Sequence, residues 1–289
     1  MKNFKLANGV ELPEIGYGTW LIKNEDAERC CLMALEAGYR HIDSAQAYGN
    51  EEGVGNAVRK SGLKREDIFV TTKVMAEHKG YKIAKDSIEL SLKTSGLDYF
   101  DLILIHCPQP WALYGGKRRY FKENIEVWKA LEEAYKEGKA KAIGVSNFRV
   151  DDLENIIKNC EIKPMVNQIL CHIGNTPMDI IKFCQENDIV VESYSPIAHG
   201  RALKNKAIQK MAEKYHVSIP QLCIKYTLQL DTVSLPKASS KEHIEDNLKL
   251  DFEISEDDMI ELIKLNEIDY GADAMWPVFW KRNRAKNFK

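Results

Sequence analysis

Asp43, Tyr48, Lys73 and His106 are residue types that trade protons, and each stands at or just past the end of a short apolar run. A phenol ionises near pH 10 and is a poor acid at neutrality. An ammonium beside it favours the phenolate and lowers that value, and a buried carboxylate keeps the ammonium charged and aimed. Asp, Lys, Tyr and His gathered on one surface therefore form an acid–base set for moving a proton to or from a substrate oxygen. Taken singly, each has a bland use: Asp43 as a helix cap, Lys73 as an exposed strand end, Tyr48 as a core aromatic, His106 as a satisfied core histidine. Their meaning rests on whether the fold brings all four to one place.

The elements that must do so are legible as alternation. Apolar runs recur at 15–19, 39–42, 68–73, 100–106, 140–146, 164–168, 189–194 and 232–236. Runs without polar alternation suit parallel strands covered on both faces. Helix-period segments separate them. In 121–137, Phe121, Ile125, Trp128, Leu131 and Tyr135 step by three and four, and in 81–95 Ala84, Ile88, Ser91 and Leu92 keep the same rhythm. Asn24, Ser240 and Ser255 are read as N-caps. Eight strand-like runs, most followed by a helix-like one, predict a (β/α)8 TIM barrel forming a single domain over 1–289, with a doubly wound sheet as the rival. In residues 5–12, Asn8-Gly9 lies between alternating apolar and polar positions, which predicts an N-terminal β-hairpin closing the bottom of the barrel. Beyond residue 265 the periodicity fades, and Tyr270, Trp276, Pro277, Phe279 and Trp280 predict an ordered aromatic tail serving as a C-terminal substrate loop. A barrel carries its active site at the C-terminal ends of its strands. The run ends collect Asp43, Lys73, His106, Ser146-Asn147, Asn167-Gln168, Tyr194-Ser195 and Lys237.

Composition and missing motifs narrow the chemistry. The chain has 289 residues, 41 Lys+Arg against 43 Asp+Glu, and a formal charge of −2, which gives no electrostatic reason to expect nucleic acid or an anionic membrane as partner. No apolar run approaches the roughly 20 residues of a membrane span, and the Met1-Lys2-Asn3-Phe4-Lys5 start lacks the apolar stretch of a secretory signal. Cys30, Cys31, Cys107, Cys160, Cys171, Cys184 and Cys223 contain no C-x-x-C spacing, so they read as reduced cytoplasmic thiols. The dinucleotide fingerprint fails where Leu21 follows Gly16-Tyr17-Gly18 and where Val58 follows Gly53-Val54-Gly55. No Walker A or H-E-x-x-H sequence occurs. Gly144-Val145-Ser146-Asn147-Phe148 starts like a nucleophile elbow, but Phe148 occupies the place of the second Gly. The pairs His106-Cys107 and Cys171-His172 cannot easily chelate one ion, since adjacent strand residues face opposite ways, so no metal is expected.

Taken in order, Asp43-Ser44-Ala45 with Tyr48-Gly49-Asn50-Glu51, Thr72-Lys73, His106, Gly144-Val145-Ser146-Asn147-Phe148, Asn167-Gln168, Tyr194-Ser195-Pro196 and Pro236-Lys237 resemble the aldo-keto reductase family from about Gly9 to about Leu250. The resemblance implies a (β/α)8 NADPH-dependent carbonyl reductase that passes hydride from the nicotinamide to an aldehyde or ketone, in the class of oxidoreductases acting on CH–OH groups with NAD(P)+ as acceptor, without a Rossmann domain or a metal. It implies Tyr48 as general acid, Lys73 and Asp43 as its tuning pair, and His106 as the group orienting the carbonyl. It also implies that a nicotinamide stacks on Tyr194, followed by Ser195, with its carboxamide held by Ser146, Asn147 and Gln168. The protein's share is positioning and electrostatics.

The adenosine end departs from the family pattern. A common Lys-Ser-x-Thr, Arg, Glu-Asn series stands here as Lys237-Ala238-Ser239-Ser240, His243, Asp246-Asn247. Lys237 can still pair a 2′-phosphate, and Ser239 or Ser240 can donate to it. His243 replaces an always-charged planar clamp, so NADP(H) is expected with weaker discrimination against NAD(H). Trp20, Met75, Cys107 and Trp111 are expected to line a largely apolar pocket for a small-molecule carbonyl substrate, with Leu170 and Ile173 replacing common polar and proline positions. Lys117-Arg118-Arg119 and the basic tail (Lys281, Arg282, Arg284, Lys286, Lys289) read as solvated surface. The chain is expected to act as a cytoplasmic monomer with neither nucleic acid nor membrane as partner. Two other readings stay open: an NAD-linked alcohol or hydroxysteroid dehydrogenase, and a non-catalytic nucleotide-binding subunit.

Overall fold

The chain opens with a hairpin of Asn3–Lys5 (β1) and Glu11–Pro13 (β2), paired antiparallel with Phe4 opposite Leu12. Its turn lies where Asn8-Gly9 predicts it: Gly9 has φ of +88°, its amide donates to Leu6 O at 2.8 Å, and the Asn8 side chain accepts from Val10 N at 3.2 Å. The computed structural model describes residues 2–265, so the aromatic and basic tail lies outside the described residues.

The barrel follows in strand–helix order: Tyr17–Gly18 (β3), Asn24–Ala37 (α1), His41–Asp43 (β4), Glu51–Lys60 (α2), Phe69–Val74 (β5), Tyr81–Ser95 (α3), Phe100–Ile105 (β6), Phe121–Lys136 (α4), Ala140–Ser146 (β7), Val150–Asn159 (α5), Val166–Leu170 (β8), Met178–Glu186 (α6), Val190–Tyr194 (β9), Lys206–Lys214 (α7), Ile219–Gln229 (α8) and Val233–Leu235 (β10). Lys241–Asp246 (α9) and Glu256–Lys264 (α10) complete the described chain. β3 to β10 pair in parallel, each with its sequence neighbour. Gly16 N donates to Ser234 O at 2.9 Å and Gly18 N to Pro236 O at 3.0 Å, so the first stave meets the last. That closure excludes the doubly wound sheet, whose outer strands would stay open.

Inside the barrel floor, Leu6 and Leu12 of the hairpin pack against Phe69, Leu102, Leu104, Ala142, Val166 and Val233. A larger apolar layer, including Ile42, Val70, Ile103, Ile143, Trp128 and Leu131, lies between staves and helices. The predicted periodicities of α3 and α4 hold: Ala84, Ile88, Ser91, Trp128 and Leu131 are buried. Ser240 and Ser255 cap their helices by accepting from His243 N and Asp258 N. Asn24 does not cap α1; Lys23 precedes that helix without a side-chain cap. The Asn24 carboxamide instead crosses to α2, accepting from Gly53 N at 2.9 Å and donating to Glu52 at 3.0 Å. α2 and α3 approach so closely that a Cβ on Gly55 would stand 1.8 Å from Ser95 O.

Candidate active site

Asp43 and Lys73 occupy neighbouring staves with side chains directed into the barrel. Lys73 Nζ donates to both Asp43 oxygens at 2.7 Å and to Ser44 O at 2.9 Å, and lies 3.4 Å from the Tyr48 hydroxyl. The ammonium is wholly buried, and these partners use its three hydrogens. A buried charge is tolerable only when paired this fully.

Tyr48 ends a single 3-10 turn, Gln46–Tyr48, that is pinned from two sides. Asn50 donates to Thr19 O at 3.0 Å and Ile22 O at 2.9 Å while accepting from Ser44 Oγ at 2.7 Å. Gln46 donates to Ser87 and Ser91 of α3 and accepts from Met75 N at 2.9 Å. Glu51 accepts from Thr72 Oγ1 and Ser91 Oγ, tying α2 to β5 and α3. These holders fix where the phenol points.

His106, one residue past β6, sets its ring edge-on to Tyr48 at 5.6 Å and to Trp111 at 5.2 Å between centroids. Its Nδ1 is buried with no protein partner. Burial, then the charges of Lys73 and Lys79, hold the imidazole well below its ordinary range, so the ring is neutral at pH 7. Burial, then the Asp43 carboxylate, push the Tyr48 phenol well above its ordinary value. This reverses the direction expected from the ammonium alone: desolvation outweighs it, and the phenol keeps its proton.

The second group of residues is joined to the first by two amides, those of Gln168 and Asn147. Gln168 Nε2 donates to Asp43 Oδ1 and to Glu192 Oε2, both at 2.8 Å. Ser146 Oγ donates to Gln168 O at 2.9 Å, Asn147 Nδ2 to His106 O at 2.9 Å, and the Tyr194 hydroxyl to Asn147 Oδ1 at 2.8 Å. Ser195 follows with φ of +54° and its carbonyl accepts from Ala198 N. Leu21, Asn147, Ser195, Ala198 and His199 all hold positive φ at the barrel mouth, a concentration of backbone strain typical of working sites.

The remaining predicted positions spread outward. Lys237, Ser239, Ser240 and His243 are exposed on the segment after β10. Asn247, at the end of α9, is buried. Trp20 is exposed at the rim with its ring 5.0 Å from His199, while Met75 and Trp111 are half-buried. Cys107 is wholly buried, and its carbonyl accepts from Lys79 Nζ at 2.7 Å. Arg118 pairs with Glu123 at the surface, while Arg119, half-buried, pairs with the exposed Asp151 and the buried Asp152. Among the described residues no three His, Cys, Asp or Glu side chains converge as metal ligands.

Sequence reasoning passed over Gln46, Lys79, His41 and Glu192, and gave Asn50 no role. Glu192 had a signal: it stands two residues before Tyr194, hence on the same strand face, and is a charge inside an apolar run. His41 precedes Asp43 in the same way.

A family model described as the Aldo/keto reductase family matches residues 14–267. The chain is 41% identical to the glyoxal reductase of Bacillus subtilis over 265 residues, covering 91% of this chain and 92% of that protein. Among solved structures, an aldo-keto reductase from a Medee basin deep-sea metagenome library superposes with a TM-score of 0.85 at 39% identity, covering 91% of this chain and 95% of that one. The Bombyx mori aldo-keto reductase in complex with NADP superposes at 0.82 with 29% identity, covering 92% of each chain. With the closed parallel barrel and the ordered motifs at its mouth, these matches lead to one conclusion: the chain belongs to the aldo/keto reductase family.

Proposed function

We propose that this protein reduces aldehydes or ketones with NADPH, Tyr48 donating the proton. One observation carries the reading: a fully paired, buried Lys73 ammonium lies between the Asp43 carboxylate, at 2.7 Å, and the Tyr48 hydroxyl, at 3.4 Å, with neutral His106 alongside. Tyr48 keeps its proton at working pH and so has one to give. As that proton moves to the carbonyl oxygen, the ammonium steadies the phenolate left behind, and Asp43 keeps the ammonium charged. A neutral imidazole can donate one hydrogen bond to orient the carbonyl without competing for the proton.

The residues present fit a nicotinamide dinucleotide. Ser146, Asn147 and Gln168 bring hydroxyl and amide groups suited to a carboxamide, and Tyr194 brings a half-buried aromatic ring. Lys237, Ser239 and Ser240 bring an exposed cation and hydroxyls suited to a 2′-phosphate, with His243 nearby as a weaker clamp than arginine. When bound, the group supplies the hydride for the carbonyl carbon. The named activity of the Bacillus relative and the NADP held by the silkworm relative support this reading. The apolar rim, Trp20, Leu21, Trp111 and Leu113, favours substrates with an apolar body behind the reacting carbonyl.

The test is the initial rate of cofactor oxidation with a reactive aromatic aldehyde, comparing NADPH with NADH and wild type with Tyr48→Phe. NADPH is expected to be preferred, and Tyr48→Phe to lose most of the rate while keeping cofactor binding. Equal rates with NADH would move the assignment to an NAD-linked dehydrogenase. Full turnover by Tyr48→Phe would remove Tyr48 as proton donor.

A further inference from the structure

A chain of buried polar groups continues from the proton-handling residues toward the barrel floor. Glu192 lies beside Gln168 in the parallel register of β8 and β9 and accepts one of its amide hydrogens, while Asp43 accepts the other. With both hydrogens engaged, the amide is held in one orientation: a half-turn would set its carbonyl oxygen against the Asp43 carboxylate and would take the donated hydrogen away from Glu192 Oε2. Gln168 is thereby left presenting only an acceptor elsewhere. A nicotinamide carboxamide carries an NH2 that needs an acceptor. Neighbouring Ser146 Oγ and Asn147 Nδ2 already appear as donors.

We propose that Glu192 is a positioning residue for the cofactor: by holding the second Gln168 amide hydrogen, it fixes the Gln168 carbonyl as the acceptor for the nicotinamide carboxamide. This inference rests on the cofactor reading above. Glu192 is wholly buried, and the groups facing it are Asp43 and His41 from β4, Lys73 from β5 and Gln168 from β8. Burial, then the Asp43 charge, raise its carboxyl to about 8, so at neutral pH it is an acid that accepts through Oε2 without placing a second anion beside Asp43. Its Oε1 is 3.8 Å from His41 Nε2 and has no hydrogen-bond partner. Burial, then Lys73, lower His41 to about 3, so acid and imidazole face each other uncharged. Gly16 makes room for that ring: a Cβ there would stand 2.5 Å from His41 Nδ1.

The experiment compares two ligands by titration calorimetry on the intact chain: NADP+, and adenosine 2′,5′-bisphosphate, which lacks the nicotinamide half. Glu192→Leu removes the acceptor and is expected to weaken NADP+ about fivefold, the ratio matching one neutral hydrogen bond, with the bisphosphate unchanged within about twofold. Glu192→Gln can still accept from Gln168 and is expected to restore NADP+ binding. Glu192→Thr, too short to reach Gln168, carries the same comparison if Glu192→Leu does not fold. Wild-type affinity for NADP+ in the Leu or Thr variant would overturn the proposal, as would equal loss of both ligands, which marks a structural role alone. Failure of the wild type to bind either ligand would instead overturn the cofactor reading beneath it.

Discussion

Replacing Glu192 by glutamine keeps the shape of the side chain and removes its ability to ionise, which turns burial into a measurable dependence on pH. The folded carboxyl keeps its proton to about 8, against an ordinary value of 4.5 in the unfolded chain. Between those values the folded state binds one more proton than the unfolded state, so wild-type stability falls as pH rises, by about 1.4 kcal/mol per pH unit. His41 works in the opposite window: lowered from 6.5 to about 3, it costs stability only as pH falls below 6.5. Above pH 6.5 the carboxyl term is therefore isolated. From pH 6.5 to 8.5 the advantage of Glu192→Gln over wild type should grow by about 2 kcal/mol. Urea unfolding of both proteins at both pH values, followed by tryptophan fluorescence, measures it. Buried thiols and phenols titrating at higher pH affect both proteins alike and cancel in the difference. A difference constant within about 0.5 kcal/mol would mean that Glu192 is ionised throughout, and the account of its burial would fail.

Lys73→Met leaves the Asp43 carboxylate buried without its cation and should cost about 3–5 kcal/mol in denaturant unfolding, together with nearly all carbonyl reduction. A loss under about 1 kcal/mol would refute the pairing energetics. Gly55→Ala would drive a Cβ to 1.8 Å from Ser95 O and should cost about 3 kcal/mol by forcing α2 from α3, whereas Gly62→Ala, with positive φ but open space, should cost about 1 kcal/mol. Thermal unfolding of the pair orders them, and equal losses would contradict the close approach.

The staves were readable because a parallel barrel buries both strand faces, so each of the eight strands lies within or across a continuous apolar run. The mouth was readable for a related reason, since residues at the C-terminal ends of staves are the ones free to be polar without breaking the core. Asn24 was misplaced because a side chain that links two helices looks, in sequence, the same as one that caps its own. The direction of the Tyr48 shift was missed because spacing names a neighbouring charge but does not say how deep the phenol lies. Glu192 shows the same gap from the other side. A charge in an apolar run is visible, but the amide that makes it useful comes from a strand over twenty residues earlier.

The hairpin carries a kinetic consequence. With Leu6 and Leu12 filling the floor, the described barrel is a chamber with one door. Among the described residues, a ligand of the mouth enters and leaves by the same rim, past Trp20, Trp111 and Leu113. Under the proposed reduction, the alcohol formed and the carbonyl share that doorway, so the alcohol should inhibit competitively with the carbonyl.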